Sequence, residues 1–307
     1  MARCQIPGAL SRRLVWLPFE PSWPVPAGIR CELVELGSAA TGLDEVEFVV
    51  LPYGATDAQL RALRRMPRLA VVQSQAAGTE RVAPFVPPGV RLCSGRGVHD
   101  TATAELAVAL ALTMTRDLPD YLHDQAERRW RPRVSQGLAD QRVVVIGFGS
   151  VGSAIGARLR AFEAEVVGIA RTARVGVRAM SALPEVLPGA DVVILAVPLT
   201  DETRGMVDKA FLDLLKPGAL LINVARGAVV VTEDLLKALN AGRISAALDV
   251  TDPEPPPADS PLWDAPNCVL TPHVGARSRA LQPRIQALVR DQVTRFADGR
   301  ELRNLVR

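Results

Sequence analysis

Arg226, Asp249, Glu254 and His273 stand at or just beyond the ends of apolar runs in the last third of the chain. Arg226 follows LLINVA, Asp249 ends AALDV with Glu254 in the loop behind it, and His273 follows VLTP. A guanidinium binds anions through a planar fork. An imidazole exchanges protons near neutral pH. Taken alone, a loop His or Arg is usually structural. Here one His, one Arg and two carboxylates gather at the ends of successive strand-like runs. In an open parallel sheet those ends face the ligand crevice, so the coincidence argues for chemistry.

A second constellation is IGFGSVG, residues 146–152, with glycines at 147, 149 and 152. GxGxxG is a weak signal alone and a strong one between a strand and a helix. The first glycine permits the tight turn, the second lets backbone approach a pyrophosphate, and the third lets the helix pack closely. The next strand, EVVGIA, should end in an acid that holds the ribose hydroxyls. It ends instead in Ala170, 23 residues past Gly147, and is followed by Arg171, Thr172 and Arg174. A carboxylate there would repel a 2′-phosphate, whereas arginine accommodates one. The expectation is NADP(H) in preference to NAD(H), with NAD(H) still possible.

These residues need a scaffold. The runs 13–18, 31–36, 46–52, 69–75 and 90–95 read as strands, with helix-like stretches such as TDAQLRALRRM (56–66) between them. A second array reads as strands at 142–147, 165–170, 191–197, 219–225, 245–250 and 268–273. Helices are expected at 100–117 (apolar nearly all round, hence buried), 152–162, 183–189, 209–218, 232–242 and 279–299. Continuous apolar runs alternating with helices indicate parallel sheets covered on both faces. The 307 residues suit about two domains. Hydrophobic residues make up 48% and charged residues 22%, as in a globular protein, and a net charge of +3 with 4% aromatics indicates no nucleic-acid surface. Lysine stands only at 209, 216 and 237, which leaves few candidates for Schiff-base chemistry. Cys4, Cys31, Cys93 and Cys268 form no CxxC pair; we read them as reduced thiols of a cytoplasmic protein, with no metal site. The N-terminus has no apolar stretch long enough for a signal peptide, and the run Leu106–Leu112 is too short to span a bilayer.

VVVIGFGSVG (143–152), AVPLTDETRGMVD (196–208), LLINVARGAVV (220–230), AALDVTDPEP (246–255) and LTPHVGA (270–276) resemble, in order and spacing, the signatures of the D-isomer-specific 2-hydroxyacid dehydrogenases. QAAGTERV (75–82) resembles their substrate loop and SGRGVHDTATAEL (94–106) the crossing between domains. The resemblance implies a catalytic trio of Arg226, Glu254 and His273. Arg226 would grip the carboxylate and carbonyl of a 2-keto acid. His273 would give the proton that follows hydride transfer and take it back in oxidation. Glu254 would orient the ring and favour its charged form. The backbone of Ala77 and Gly78 would hold the substrate carboxylate. Coenzyme contacts would come from Gly147, Phe148, Gly149, Ser150, Val151, Gly152, Arg171, Thr172, Arg174, Val197, Pro198, Thr203, Val224, Ala225, Arg226, Asp249, His273 and Gly275.

The implied fold is α/β, with two Rossmann-like domains and a cleft between them. A flavodoxin-like substrate domain would take 1–98 and 277–307, and a dinucleotide-binding domain 99–276. Gly95, Gly97 and Gly275 suit the hinge strands. A homodimer is implied, with the 100–130 region against its mate. Two departures blur the substrate: Thr79-Glu80 stands where the family carries Val-Asp, and Ser94 where it carries Asn. His99 and His123 read as structural. The expected reaction is reduction of a small 2-keto acid by NADPH, in a glyoxylate/hydroxypyruvate reductase-like branch. Formate oxidation needs no proton shuttle, and that subgroup carries Gln where Glu254 stands. The rivals are a coenzyme-sensing binding protein of the same superfamily and an NAD-dependent phosphoglycerate dehydrogenase-like enzyme.

Overall fold

A computed structural model describes residues 12–37 and 42–307; Cys4 lies outside the described residues. The chain divides into two compact units. One ends at Val98 and resumes over Arg279–Arg307, and the other runs His99–Ser278.

The first unit holds β1 (Arg13–Leu17), β2 (Ile29–Leu33), β3 (Val46–Val50), α1 (Asp57–Ala62), β4 (Val71–Gln73) and β5 (Arg91–Cys93). Its strands form one parallel sheet in the order β2-β1-β3-β4-β5, which is the flavodoxin order. α1 starts where it does because Thr56 and Gln59 form a reciprocal capping box. One face of the sheet, with Val15, Phe48 and Val50, packs against Ile285, Val289, Val293 and Phe296 of the chain's last helix. That helix is also tied by polar groups: the buried Gln292 donates through Nε2 to Gln73 Oε1 at 2.7 Å.

The second unit runs α2 (Asp100–Thr115), α3 (Leu118–Ala126), β6 (Arg142–Ile146), α4 (Ser150–Arg160), β7 (Glu165–Ala170), β8 (Val177–Ala179), α5 (Leu183–Val186), β9 (Val192–Leu195), α6 (Lys209–Leu214), β10 (Ala219–Asn223), α7 (Thr232–Asn240), β11 (Ile244–Leu248) and β12 (Cys268–Leu270). The last helix of the chain, Leu281–Ala297, is α8 and belongs to the first unit. The seven strands are all parallel, ordered β12-β11-β10-β9-β6-β7-β8. The order reverses between β6 and β9, and ligands of open α/β sheets bind at such a switch point. The runs VVVI, VVIL and ALLIN are buried at every position because helices cover both faces.

Three details depart from the sequence expectations. β8 and α3 are additional elements. Residues 183–189 form one short helical turn and a 3-10 turn in place of a helix, because Pro188 removes the amide donor that the next turn needs, while Pro184 sits harmlessly in the first turn. α2 is buried round most of its circumference, as expected, but leaves a narrow stripe at Glu105 and Ala109 exposed. Among the described residues no helix is long and apolar enough to cross a membrane.

Candidate active site

The glycine turn links β6 to α4. At Gly147, φ is +95° and a Cβ would lie 2.4 Å from the Ala196 carbonyl carbon. A Cβ on Gly152 would lie 2.3 Å from the Gly147 oxygen. These two glycines are demanded by backbone packing. Gly149 is not: a Cβ there would meet nothing within 4 Å. Its small size leaves an open cradle before α4, whose first turn no side chain caps. A helix start with free amides and an open approach fits a diphosphate. Phe148 turns its ring inward, where Gly156 and Gly168 leave room for it. Ser150 donates its hydroxyl to the Asp100 carboxylate, and Val151 is half-buried in the first turn.

Arg171 and Thr172 follow the end of β7 and are exposed. Arg174 is tied to the turn itself, donating through Nη2 to the Phe148 carbonyl. Across from Arg171, hydrogen bonds from Thr200 and its own backbone, with the Arg171 charge, hold the Glu202 carboxyl below its usual range. Val197 is buried past the end of β9 and Pro198 exposed. The Thr203 hydroxyl closes that loop by donating to the Pro198 carbonyl at 2.6 Å and accepting from the Thr200 amide at 2.8 Å.

The second cluster lies past the carboxyl ends of β10, β11 and β12. His273 Nδ1 is 2.6 Å from Glu254 Oε1, with the two side chains 44% and 41% exposed. One ring nitrogen is therefore engaged, and Nε2 remains for a reacting group. His273 has a φ of +51°, unusual outside glycine. Asp249 sits beneath this loop, bonded to Thr271, Val274 and Gly275. Arg226 is half-buried and directs Nη1 to the Ala225 carbonyl at 2.7 Å. Val224 and Ala225 beside it are buried. Gly227 presses against the next loop, since a Cβ there would fall 1.8 Å from the Thr251 oxygen. The Arg226 turn and the stretch leading to Glu254 are thus packed backbone to backbone.

The structure joins Glu254 with His273, Asp249 with the His273 loop, and Arg174 with the glycine turn. Ala77 and Gly78 lie in a turn of the first unit, which Gly95 steadies by donating to the Ala76 carbonyl at 2.7 Å. His99 precedes α2 and is buried; His123 Nε2 lies 3.1 Å from Arg129 Nη2. Asp100, Glu202, Thr271 and Asn223 also belong to these surroundings; they lie inside the quoted motif stretches, but the sequence assigns them no role. Asn223 is hidden because it reads as one more position of an apolar strand.

A doubly wound parallel sheet, with a glycine turn at its switch point and a histidine–carboxylate pair on the same rim, defines a dinucleotide-binding α/β protein with an acid–base pair beside the site. The family model described as D-isomer specific 2-hydroxyacid dehydrogenase, NAD binding domain, matches residues 108–275, and the chain belongs to that family. It is 33% identical over 227 residues to D-3-phosphoglycerate dehydrogenase of Archaeoglobus fulgidus, covering 71% of this chain and 43% of the relative. It is 34% identical over 227 residues to glyoxylate reductase/hydroxypyruvate reductase of Homo sapiens, covering 68% of each. Among solved structures it resembles a D-isomer specific 2-hydroxyacid dehydrogenase from Xanthobacter autotrophicus Py2 in complex with NADPH and MES. There the TM-score is 0.81 and the identity 28%, over 97% of this chain and 98% of the other.

Proposed function

We propose that the protein reduces a small 2-keto acid of the glyoxylate or hydroxypyruvate type with NADPH, and oxidises the D-2-hydroxy acid in reverse. The observation that carries this reading is the His273–Glu254 contact of 2.6 Å on the rim of the dinucleotide sheet. Bound NADPH supplies the hydride. Arg226 grips the substrate's carboxylate and carbonyl, countering the charge that grows on the oxygen. His273 places its proton on that oxygen, and Glu254 holds the ring in the orientation and protonation state that can do so. Ala77 and Gly78 are assigned to the substrate carboxylate. Ala170 and Arg171 at the end of β7 support NADP(H) over NAD(H). The NADPH in the Xanthobacter structure is in keeping with the same choice, and the name of the human relative supports the substrate class. The phosphoglycerate dehydrogenase relative keeps oxidation of a phosphorylated hydroxy acid as the second reading.

The test is a spectrophotometric panel. NADPH and NADH are each paired with glyoxylate, hydroxypyruvate and 3-phosphohydroxypyruvate. Turnover of the first two with NADPH is expected. Coenzyme binding without turnover of any keto acid would make the protein a sensor, and preference for NADH with the phosphorylated acid would favour the second reading.

We further propose a cytoplasmic homodimer. Trp130 and Val134, 95% and 103% exposed, stand on the segment after α3. Beside them Tyr121, Asp124, Arg128 and Trp130 line a hollow of about 550 Å³. Two fully exposed apolar side chains beside a hollow suit a second copy. Light scattering with size exclusion should give twice the chain mass, and Trp130→Glu should shift it toward the monomer.

A further inference from the structure

Arg226 and His273 sit on turns held from below by two buried polar side chains. Asn223, the last residue of β10, is 0% exposed in a strand otherwise built of Ala, Leu and Ile. A buried amide is costly unless both halves are bonded, and both halves are spent on one turn. Oδ1 accepts from the Ala225 amide at 3.0 Å, and Nδ2 donates to the Arg226 carbonyl at 3.0 Å. Asp249, just past β11, is 2% exposed. Its Oδ1 accepts from Thr271 Oγ1 at 2.6 Å and the Val274 amide at 2.8 Å, and its Oδ2 from the Gly275 amide at 2.8 Å. Its carbonyl takes the His273 amide at 2.8 Å. These bonds close around the one residue of the loop in the left-handed region, His273 at φ +51°, a conformation that persists where surroundings hold it. The two residues are also joined, since the Asp249 amide donates to the Asn223 carbonyl at 2.9 Å.

We propose that Asn223 and Asp249 form a single brace of positioning residues, Asn223 setting Arg226 and Asp249 setting His273. With three donors on a carboxylate that is 2% exposed, Asp249 serves the loop, and its Oδ2 keeps one acceptor site for the coenzyme contact that the family resemblance implies. The proposal rests on the roles given above to Arg226 and His273.

The test combines steady-state kinetics with NADPH fluorescence titration. Asn223→Asp keeps the acceptor for Ala225 and loses the donor to Arg226. Asp249→Asn keeps the shape and leaves one oxygen to accept. Asn223→Asp should raise the keto-acid KM roughly tenfold, and Asp249→Asn should lower kcat roughly tenfold to a hundredfold, the scale of one or two lost hydrogen bonds. The NADPH Kd should stay within about threefold in Asn223→Asp and change less than kcat in Asp249→Asn. In the Arg226→Ala and His273→Ala backgrounds, respectively, the effects should shrink to about twofold, because groups that act through one another are not additive. Full-sized effects in those backgrounds, or losses confined to NADPH Kd, overturn the brace. Wild-type kinetics in Arg226→Ala and His273→Ala would instead sink the functional reading and the brace with it. If circular dichroism shows either variant unfolded, Asn223→Ser and Thr271→Val, each removing one bond of the brace, replace it in the same cycles. The same shrinkage then supports the brace, and full-sized effects in the Ala backgrounds overturn it.

Discussion

The turn after β6 and the loop after β12 stand on the same edge of one sheet and are built in opposite ways. The first owes its shape to missing side chains: Gly147 and Gly152 are required because any Cβ would strike backbone. The second owes its shape to side chains that are present and buried. Asp249 gathers Thr271, Val274 and Gly275 around the left-handed His273. The glycine turn is local, written in seven consecutive residues. The His273 loop is assembled from residues on neighbouring strand ends. A binding surface for a repeated chemical unit such as a diphosphate needs mainly bare backbone. An acid–base group needs a side chain aimed at one atom, and aiming takes supports from elsewhere in the sheet.

The largest effect should come from breaking the first half of this contrast. Gly147→Ala places a Cβ 2.4 Å from the Ala196 backbone at a φ of +95°. It should cost about 3 kcal/mol or more in urea unfolding, through strain and overpacking together. Gly149→Ala meets nothing within 4 Å, so its stability should stay within about 0.5 kcal/mol while coenzyme binding falls. Equal destabilisation by the two, or normal NADPH binding in Gly149→Ala, would falsify the division between packing and ligand glycines.

Next in size, Arg226→Lys keeps the charge but loses the planar fork. kcat/KM for keto acids should fall roughly a hundredfold, with NADPH binding nearly intact. A kcat/KM close to wild type would remove Arg226 from the mechanism.

Smaller still is the effect at the far end of the coenzyme. Arg171 is exposed, whereas Arg174 is occupied by the Phe148 carbonyl. Arg171→Ala should weaken NADPH roughly ten- to a hundredfold, the scale of a hydrogen bond to a charged group, and leave NADH unchanged. Arg174→Ala should weaken both coenzymes alike, because it loosens the turn they share. Interchanged results would show that Arg174 reads the phosphate and Arg171 does not.

The smallest effect concerns β12, which leads to the His273 loop. Burial pushes the Cys268 thiol up to about 11. A raised value means the thiol stays protonated and poorly nucleophilic through neutral pH. Alkylation of the Cys268 peptide by iodoacetamide, followed by mass spectrometry, should be slow at pH 8 and keep rising toward pH 11. A plateau by about pH 10, as for a free thiol, would mean that β12 opens to solvent.

Much of the scaffold was determined by the sequence alone. Runs such as VVVI and VVIL are apolar at every position because both faces of a parallel sheet are covered, so they stand out as strands. The glycine turn and the absence of an acid after β7 were legible for the same reason: each is a local feature at a known spacing from a strand. Arg226 and His273 could be placed on the rim because strand ends can be read from where apolar runs stop. Other features depended on tertiary contacts. β8 is only three residues long and exists by pairing with β7. α3 begins Leu118-Pro119 and runs only nine residues, too few turns for its apolar spacing to stand out. Pro188 shortened an expected helix. Arg174 met the Phe148 carbonyl and Asp249 met the His273 loop across separations that no local pattern encodes, whereas Asn223 bonds residues two and three places on and is revealed by its burial. Burial of a polar group is a property of the folded surroundings. The residues that bear chemistry could therefore be nominated from the sequence, while those that hold them in place could be found only once neighbouring strand ends were brought together.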